Sequence, residues 1–371
     1  MYTPIACGAH HALFLSSMFE VYSCGLNDKG QLGLGNTLRR GRPTLLENLP
    51  PVQSIFAGGN QSVILDESGN VWVFGTNHHG QLGYGNTPFL LSPTKLDNLP
   101  SIRFVSCGLY HTYLIDECGG AWATGANKSG QLGLGDYTKR EYFEKATLLQ
   151  GIKSLSCGDF HTLFIDCEDN AWGVGSNDCG QLGVGSTIER YNYPVKIESI
   201  SNVKVVYANF RTSFFIDSSQ KLYACGTGQQ GQLSLSRTFR RADVPLLIHL
   251  QNVESISAGN AHTTFVDSDK KVWACGDNTF GQLGIGVKKA ISMVAEVDLK
   301  NIIFSACCNN SSFFMDDQGV VWVTGDNFSG QLGLGTASRS FAPQITTFLP
   351  ELLAQKRIGS NIKSARFVLE T

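Results

Sequence analysis

Four histidines recur at one position of a repeated sequence pattern, and histidine is the residue type most often used for metal binding and proton transfer. They are His11, His111, His161 and His262. Because each lies in a different repeat, a folded ring of repeats would spread them apart. We therefore predict a structural hydrogen bond within each repeat, with no metal site and no cofactor.

Recurring aspartates and glycine-rich turns are the next features that could support chemistry. The aspartates, among them Asp66 and Asp116, fall in hairpin turns, where Asp tolerates the required backbone angles. The segment 30–35 is glycine-rich but lacks the Lys-Ser/Thr ending of a phosphate loop. No nucleophile elbow or HExxH pattern is present. We expect a protein that is not an enzyme and has no small-molecule substrate.

Composition narrows the class further. The 371 residues carry 29 basic and 31 acidic side chains, a net charge of −2, which argues against general coating of nucleic acid. No apolar run approaches the ~18 residues of a membrane span, and residues 1–4 show no signal-peptide pattern. Of the eleven cysteines, seven recur at two equivalent strand positions that suit small apolar side chains. They are interpreted as reduced thiols of a cytosolic, or alternatively nuclear, protein.

The elements that position these residues follow from the repeat itself. The tripeptide Gly-Gln-Leu occurs seven times, with its glutamine at Gln31, Gln81, Gln131, Gln181, Gln232, Gln282 and Gln331. A period near 50 residues indicates a solenoid or a propeller. Four short strands per repeat predict an all-β, seven-bladed β-propeller in which each blade has four antiparallel strands, because neighbouring blades then cover one another's apolar faces.

The third repeat illustrates the predicted strands, which are 104–108, 111–116, 121–125 and a fourth near 146–149. The chain as a whole is predicted to be one propeller domain, 1–371, with seven repeats in 1–351. Residues 352–371 resemble the first half of a repeat, so we expect the N-terminal and C-terminal strands to pair in a shared blade and close the ring.

Two repeats carry a pattern that resembles the regulator of chromosome condensation family of propellers. The pattern is Cys-Gly-x-x-His-Thr, then Trp-x-x-Gly, then Asn-x-x-Gly-Gln-Leu-Gly-x-Gly. It is present here as Cys107-Gly108, His111-Thr112, Trp122, Gly125, Asn127 and 130–135, and the fourth repeat is similar. The resemblance covers nearly the whole chain and implies seven blades.

This resemblance also implies a set of activities. The founding member is a nucleotide exchange factor for the small GTPase Ran and docks on chromatin, and relatives include a plant ultraviolet-B photoreceptor and modules of ubiquitin ligases. The photoreceptor's loop tryptophan is replaced here by Leu109, Asp159 and Phe210, so photoreception is not expected. The basic N-terminal arm and the inserted wedge of the exchange factor are not expected here, so a small GTPase is expected without specifying Ran.

The two residues that precede the histidine position differ from repeat to repeat, whereas the residues on either side of them recur. Loops on a rigid scaffold commonly carry recognition, and a mixture of aromatic, charged and amide side chains is typical of protein-binding hot spots. The candidate partner-binding residues are His10, Asn60, Tyr110, Asp159, Phe160, Phe210, Arg211, Asn260 and Asn310. The resemblance implies that Asp159 and His10 correspond to the acidic and histidine side chains used by the exchange factor.

Basic residues are concentrated after the Gly-Gln-Leu turns. If these stretches share one face, ring closure gathers them into a positive surface. The candidate basic patch comprises Arg39, Arg40, Lys139, Arg140, Arg237, Arg240, Arg241, Lys288 and Lys289. We predict a protein-interaction propeller that regulates a small GTPase or acts as its guanine nucleotide exchange factor. The alternative is a non-catalytic adaptor that binds chromatin, an acidic protein or an anionic surface through the basic loops.

Overall fold

Seven sheets of four antiparallel strands form a β-propeller, as the repeat predicts. The computed structural model describes residues 3–235 and 239–346. No helix in these ranges is long and apolar enough to cross a membrane. Blades are numbered from the N terminus, and each described blade consists of four strands that are consecutive in the chain.

The innermost strands line the central channel and the next strands pair with them. The innermost strands are β1 (Ile5–Cys7), β5 (Val52–Gly58), β9 (Ile102–Cys107), β13 (Ile152–Cys157), β17 (Val203–Asn209), β21 (Val253–Ala258) and β25 (Ile302–Cys308). The second strands are β2 (His11–Leu15), β6 (Gln61–Asp66), β10 (His111–Asp116), β14 (His161–Asp166), β18 (Thr212–Asp217), β22 (His262–Asp267) and β26 (Ser311–Asp316).

The third and fourth strands complete each blade toward the circumference. The third strands are β3 (Val21–Gly25), β7 (Val71–Thr76), β11 (Ala121–Gly125), β15 (Ala171–Ser176), β19 (Leu222–Thr227), β23 (Val272–Gly276) and β27 (Val321–Gly325). The outermost strands are β4 (Arg40–Leu45), β8 (Phe89–Lys95), β12 (Arg140–Lys145), β16 (Arg190–Lys196), β20 (Arg241–Ile248), β24 (Ile291–Val297) and β28 (Ser340–Ile345).

The fourth strand of blade 3 lies earlier than predicted. The apolar stretch 146–149 had indicated a strand, but the strand is Arg140–Lys145, and 146–149 belongs to the connection toward blade 4. Ala146 and Leu149 instead pack against the core between blades 3 and 4. The outermost strand is an edge with many exposed side chains, so its sequence lacks the apolar pattern of a buried strand.

Apolar side chains pack between every pair of neighbouring blades. On β6, Val63 and Leu65 pack toward blade 3, whereas Ile64 between them packs toward blade 1, because successive strand residues face opposite sides of the sheet. The same packing joins the last blade to the first, where Phe14 and Phe313 stack edge to face with ring centroids 6.0 Å apart.

Ring closure uses the same contacts as the other blade junctions. The predicted shared blade of N-terminal and C-terminal strands is wrong for the described residues, because each repeat begins at an innermost strand and supplies a complete blade. The backbone N–H of Gly335 donates to the carbonyl of Gly41 (2.8 Å), just as Gly35 donates to Leu91 (2.9 Å) between blades 1 and 2. The predicted partial repeat, 352–371, lies outside the described residues.

Candidate interaction face

The variable loops and the basic stretches lie on the same face of the ring. His11 at the start of β2 pairs with Gly25 at the end of β3, and Gly25 pairs with Arg40 at the start of β4. The loop before β2 and the turn between β3 and β4 therefore meet at one edge of the blade, which we call the upper face. The loops lie near the channel and the basic stretches near the circumference.

Each Asn-x-x-Gly-Gln-Leu turn is held by its own side chains. In blade 3, the side-chain oxygen of Asn127 accepts a bond from the Leu132 N–H (2.9 Å), and its amide donates to the Asp136 carbonyl (2.9 Å). The side-chain oxygen of Gln131 accepts from the Ser129 N–H (3.0 Å). The turn is thereby fixed without using the side chains of the two intervening residues, which are free to differ between blades.

The repeat histidines join neighbouring blades, and the predicted hydrogen bond within each repeat is wrong. Every one of the four contacts a hydroxyl of the following blade: His11 Nε2 to Ser62 Oγ (2.8 Å), His111 Nε2 to Thr162 Oγ1 (3.0 Å), His161 Nε2 to Ser213 Oγ (2.9 Å) and His262 Nε2 to Ser312 Oγ (2.9 Å). Residues one repeat apart in sequence face each other across a blade junction, which explains the pairing.

The hydrogen-bond network also fixes the state of these rings. Thr162 donates its hydroxyl hydrogen to the Gln131 carbonyl (3.1 Å), so it accepts from His111 Nε2–H. Burial lowers the pKa of three of the histidines to about 3 and that of His262 to about 4, so all four are neutral near pH 7. They are structural links rather than metal ligands, and the described residues contain no cluster of three or more His, Cys, Asp or Glu side chains that could hold a metal ion.

The histidine also determines the shape of the variable loop. A Cβ on Gly108 would overlap the His111 ring, so the ring requires glycine there. In blades 2, 5 and 7, where Gln61, Thr212 and Ser311 replace histidine, the loop has a residue with positive φ. One of these is Phe210, with φ of 44°, an uncommon conformation for an aromatic residue that often marks a functional position.

Blades 3 to 5 bring most of the predicted aromatic and charged residues together. The rings of Tyr110 and Phe160 lie 6.2 Å apart, and the guanidinium of Arg211 lies 5.8 Å from the Phe210 ring. The backbone N–H of Asp159 donates to the Phe210 carbonyl (3.2 Å). All five side chains are half-buried. We call Tyr110, Asp159, Phe160, Phe210 and Arg211 the aromatic sector.

Asp159 is the electrostatic centre of the aromatic sector. Burial among neighbouring groups raises the pKa of its carboxyl to about 6, and the positive charge of Arg211 partly opposes this rise. Arg211 itself forms an ion pair with Asp178 (3.3 Å) and donates to Cys179 Sγ (3.5 Å). At neutral pH the sector therefore presents a poorly hydrated carboxylate, which favours a cationic or hydrogen-bond-donating partner group.

Blades 6, 7 and 1 carry a different set of predicted residues, joined by amides. Asn260 donates its side-chain amide to the side-chain oxygen of Asn309, and Asn309 in turn contacts His10 Nε2 (3.3 Å). Asn310 follows Asn309 on the same loop. We call these four residues the amide sector. The structure thus places His10 and Asp159 in different sectors instead of one site.

Asn60 belongs to neither sector. It lies in blade 2, and its side-chain oxygen is buried with no hydrogen-bond partner among the described residues.

The predicted basic patch is divided by ion pairing. Lys139 pairs with Glu141 (2.7 Å), Arg140 with Asp136 (2.8 Å), and Arg241 with Asp243 (2.6 Å). The remaining described members, which form no ion pair within the described residues, are Arg39, Arg40, Arg240, Lys288 and Lys289. Arg237 lies outside the described residues.

Sequence reasoning missed a second set of variable residues beside the loops. His79 stacks against Tyr110 with ring centroids 4.6 Å apart, and Asp178 pairs with Arg211 across the next junction. Both lie between the Asn and Gly of the Asn-x-x-Gly-Gln-Leu turn, as do Phe280 and Phe328. These two positions vary in every repeat while the flanking residues recur, and that signal was available in the sequence.

The central channel is narrow and lined by the innermost strands. It encloses about 250 Å³, and its lining includes Ile55, Phe104, Leu155, Tyr207 and Asn209. All eleven cysteines are unpaired thiols, several of which line or adjoin this channel. Burial raises the pKa of the Cys107 thiol well above its usual range, so it is protonated and unreactive there.

Comparison with known proteins identifies relatives of the whole ring. Residues 2–249 match the family described as "RCC1-like domain", and residues 253–282 match the "Regulator of chromosome condensation (RCC1) repeat". A curated relative, the E3 ubiquitin-protein ligase MYCBP2 of Danio rerio, is 42% identical over 57 residues, which is 15% of this chain and 1% of the ligase. The match therefore spans a very small part of that protein.

Solved structures resemble the chain over nearly its full length. Human WBSCR16 superposes with a TM-score of 0.80 at 20% identity, covering 90% of this chain and 94% of that one. Prp20p from Saccharomyces cerevisiae, reported with its binding properties to Gsp1p and histones, gives 0.82 at 21% identity, covering 90% and 87%. At these identities the likeness shows the fold alone.

Proposed function

The chain belongs to the RCC1-like domain family, and from this premise we propose that it is a protein-interaction propeller that regulates a small GTPase as its guanine nucleotide exchange factor. The observation that carries the proposal is the aromatic sector, where one poorly hydrated carboxylate lies among three aromatic rings and an arginine on three neighbouring blades. Aromatic and arginine side chains around a partly desolvated centre are typical of binding hot spots.

The rigidity of the sector also supports this function. Its side chains stand on short loops between paired strands, and the histidine link from His161 to Ser213 fastens blade 4 to blade 5 directly beneath it. A preformed surface of this kind binds with little loss of conformational freedom. The unpaired thiols are in keeping with a cytosolic or nuclear location.

Nucleotide exchange requires tight binding of the GTPase and involves no covalent chemistry. An exchange factor binds the nucleotide-free GTPase more tightly than the nucleotide-bound form, and this differential affinity is what releases the nucleotide. In the proposed complex, Phe160 and Phe210 supply apolar contact area and Asp159 accepts hydrogen bonds from a cationic group of the GTPase. A GTPase group that contacts the nucleotide phosphates would be cationic, and Asp159 would compete with the phosphates for that group.

The decisive experiment measures release of a fluorescent guanine nucleotide from a panel of purified small GTPases. Catalytic amounts of the propeller should accelerate release from at least one member, and the Asp159→Ala, Phe160→Ala variant should abolish the acceleration. The matched control is Lys139→Ala, Glu141→Ala, which removes an exposed ion pair on the same face and should leave release unchanged.

Two results would count against the proposal in different ways. If no GTPase on the panel responds, the exchange activity is refuted, whereas a nucleotide-independent complex detected by gel filtration would retain the regulatory role. If release is accelerated but the Asp159→Ala, Phe160→Ala variant is fully active, the aromatic sector is not the binding site.

A further inference from the structure

Basic residues of blades 5, 6, 7 and 1 form a continuous arc along the outer rim of the upper face. They lie just before the outermost strands or at their start, and consecutive blades place them side by side. We call this set the basic arc: Arg39, Arg40, Arg240, Lys288, Lys289 and Arg339. None of these side chains forms an ion pair within residues 3–235 and 239–346.

On the opposite part of the rim, in blade 3, basic residues are neutralised by ion pairs with neighbouring carboxylates. In blade 3, Arg140 lies between Asp136 (2.8 Å) and Glu144 (2.5 Å), and Lys139 pairs with Glu141. These carboxylates cancel the positive potential of that region. The basic arc lacks such partners in the described residues, so its positive charges add up over four blades although the chain is slightly acidic as a whole.

Arg339, a member of the basic arc, stacks on two aromatic rings. Its guanidinium lies 5.2 Å from the ring centre of Phe280 and 5.2 Å from that of Phe328, and the two rings contact each other edge to face. Phe328 remains 54% exposed. Stacking on aromatic rings fixes the plane of a guanidinium and leaves its N–H edge available, which suits bidentate binding of a carboxylate.

A recess next to the basic arc adds neutral hydrogen-bond donors. It has a volume of about 480 Å³ and lies between the turn of blade 5 and the outermost strand of blade 6. Its lining includes the side chains of Gln229 and Gln230 together with Arg240. Gln229, Gln230 and Arg240 therefore make this recess at the junction of blades 5 and 6 polar and positively charged.

We propose that the basic arc is a second docking surface, which binds an acidic protein segment through carboxylates. The surface spans four of the seven blades and not the whole rim, so it fits a short acidic segment better than a long, uniformly charged polymer. The phenyl rings of Phe280 and Phe328 already hold Arg339, so they are poorly placed to stack nucleic-acid bases. This surface is separate from the aromatic sector and does not depend on the proposed exchange activity.

The test measures binding of a fluorescein-labelled oligoglutamate peptide by fluorescence anisotropy. The Lys288→Ala, Lys289→Ala, Arg339→Ala variant should bind at least about tenfold more weakly, a loss of about 1.4 kcal/mol. The control, Lys139→Ala, Arg140→Ala, removes two charges from ion-paired positions of blade 3, away from the basic arc, and should change affinity by less than about twofold. Circular dichroism of both variants checks that each remains folded.

Further arms distinguish the partner classes. Wild-type binding of the peptide should weaken as salt is raised, and Arg339→Lys, which keeps the charge but loses the stacked planar fork, should weaken it as well. Absence of peptide binding, or equal losses in the basic-arc variant and the blade 3 control, would overturn the proposal. Tighter binding of single-stranded DNA of the same length, lost in the basic-arc variant, would also overturn it in favour of a nucleic-acid surface.

Discussion

The aromatic sector and the amide sector occupy equivalent loops of one ring, yet their side chains interact in opposite ways. In the aromatic sector, Asp159 lies among rings and an arginine, and the nearby outer-rim residues Lys139 and Arg140 are neutralised. In the amide sector, Asn260, Asn309 and His10 bond to one another, and the adjoining basic arc has no carboxylate partners in the described residues.

The difference shows how a repeated scaffold acquires two surfaces. Strand order and blade packing recur in both sectors, so most of the chemical division resides in two pairs of variable positions per repeat. One pair precedes the histidine position, and the other lies inside the Asn-x-x-Gly-Gln-Leu turn. Side chains there also contact the adjoining blade, as Asp178 does with Arg211.

The largest expected effect separates the two sectors by partner binding. Replacing Phe210 with Gly relieves its positive φ while removing its ring, and combining this change with Asp159→Ala should weaken GTPase binding by about a hundredfold. A double variant in the basic arc, Lys288→Ala, Lys289→Ala, should bind the GTPase with an affinity within about twofold of the wild-type value. Surface plasmon resonance of each variant against the responsive GTPase would measure both, and equal losses would mean that the sectors act as one site.

The next prediction asks whether the sectors differ mechanically. His161 links blade 4 to blade 5 in the aromatic sector, and His262 links blade 6 to blade 7 in the amide sector. Replacing either with Ala should lower the free energy of unfolding by a similar amount, about 2 kcal/mol, because each leaves a buried hydroxyl with one bond fewer and a small cavity. Urea unfolding would measure it, and a large inequality would contradict mechanical equivalence.

These histidines also predict acid sensitivity of the whole ring. Their pKa is about 3 to 4 when folded against 6.5 when unfolded, so the unfolded state binds more protons between these values. Stability should therefore be complete above about pH 6.5 and decline as the pH falls toward 3. His111→Gln should reduce this decline, since Gln61 already occupies the equivalent position in blade 2. An unchanged pH profile in that variant would contradict the assignment.

A smaller effect concerns the pH dependence of binding. The pKa of Asp159 is about 6, so binding that requires its carboxylate should weaken by about tenfold for each pH unit below that value. Oligoglutamate binding to the basic arc should stay nearly constant from pH 7.5 to 5.5, because the carboxyl groups of the peptide have an ordinary pKa of about 4.3. Asp159→Asn should remove the pH dependence of GTPase binding, and persistence of that dependence would assign it to another group.

The smallest predicted effect refines the electrostatics of the aromatic sector. Arg211 lowers the pKa of Asp159 against the opposing effect of burial. Arg211→Gln should therefore raise that pKa and move the midpoint of the binding profile to higher pH, by less than about one unit. The same binding assay over a fine pH series would detect it. A shift to lower pH would show that the two side chains are not coupled in this way.

The fold was predictable because it depends on regularity that a single sequence displays. Seven Gly-Gln-Leu turns near a period of 50 residues indicate the blades and their number. The fourth strand was misplaced because β12 is a half-exposed edge without apolar alternation. Histidine pairing was misassigned because residues one repeat apart, such as His111 and Thr162, meet only once the blades stand side by side.

The sequence identified the candidate residues, but it did not show which of them lie together in the folded ring. Variation at the loop positions identified Asp159, Phe210 and Asn260, but only the ring geometry divides them into sectors. The ion pair of Lys139 with Glu141 could have been expected from the sequence, since the two residues are only two positions apart. The stacking of Arg339 on Phe280 could not be expected from the sequence, because these residues come from different blades.

The bond from Gly335 to Gly41 has a consequence for how this chain can change over time. It repeats the contact between blades 1 and 2, so the last blade joins the first and the seven blades together share one full circle. Losing or gaining a whole repeat would require every junction to adopt a new angle at once. Sequence change is therefore easiest at single residues in the variable positions. The distance between the two surfaces then stays constant, whichever partners bind them.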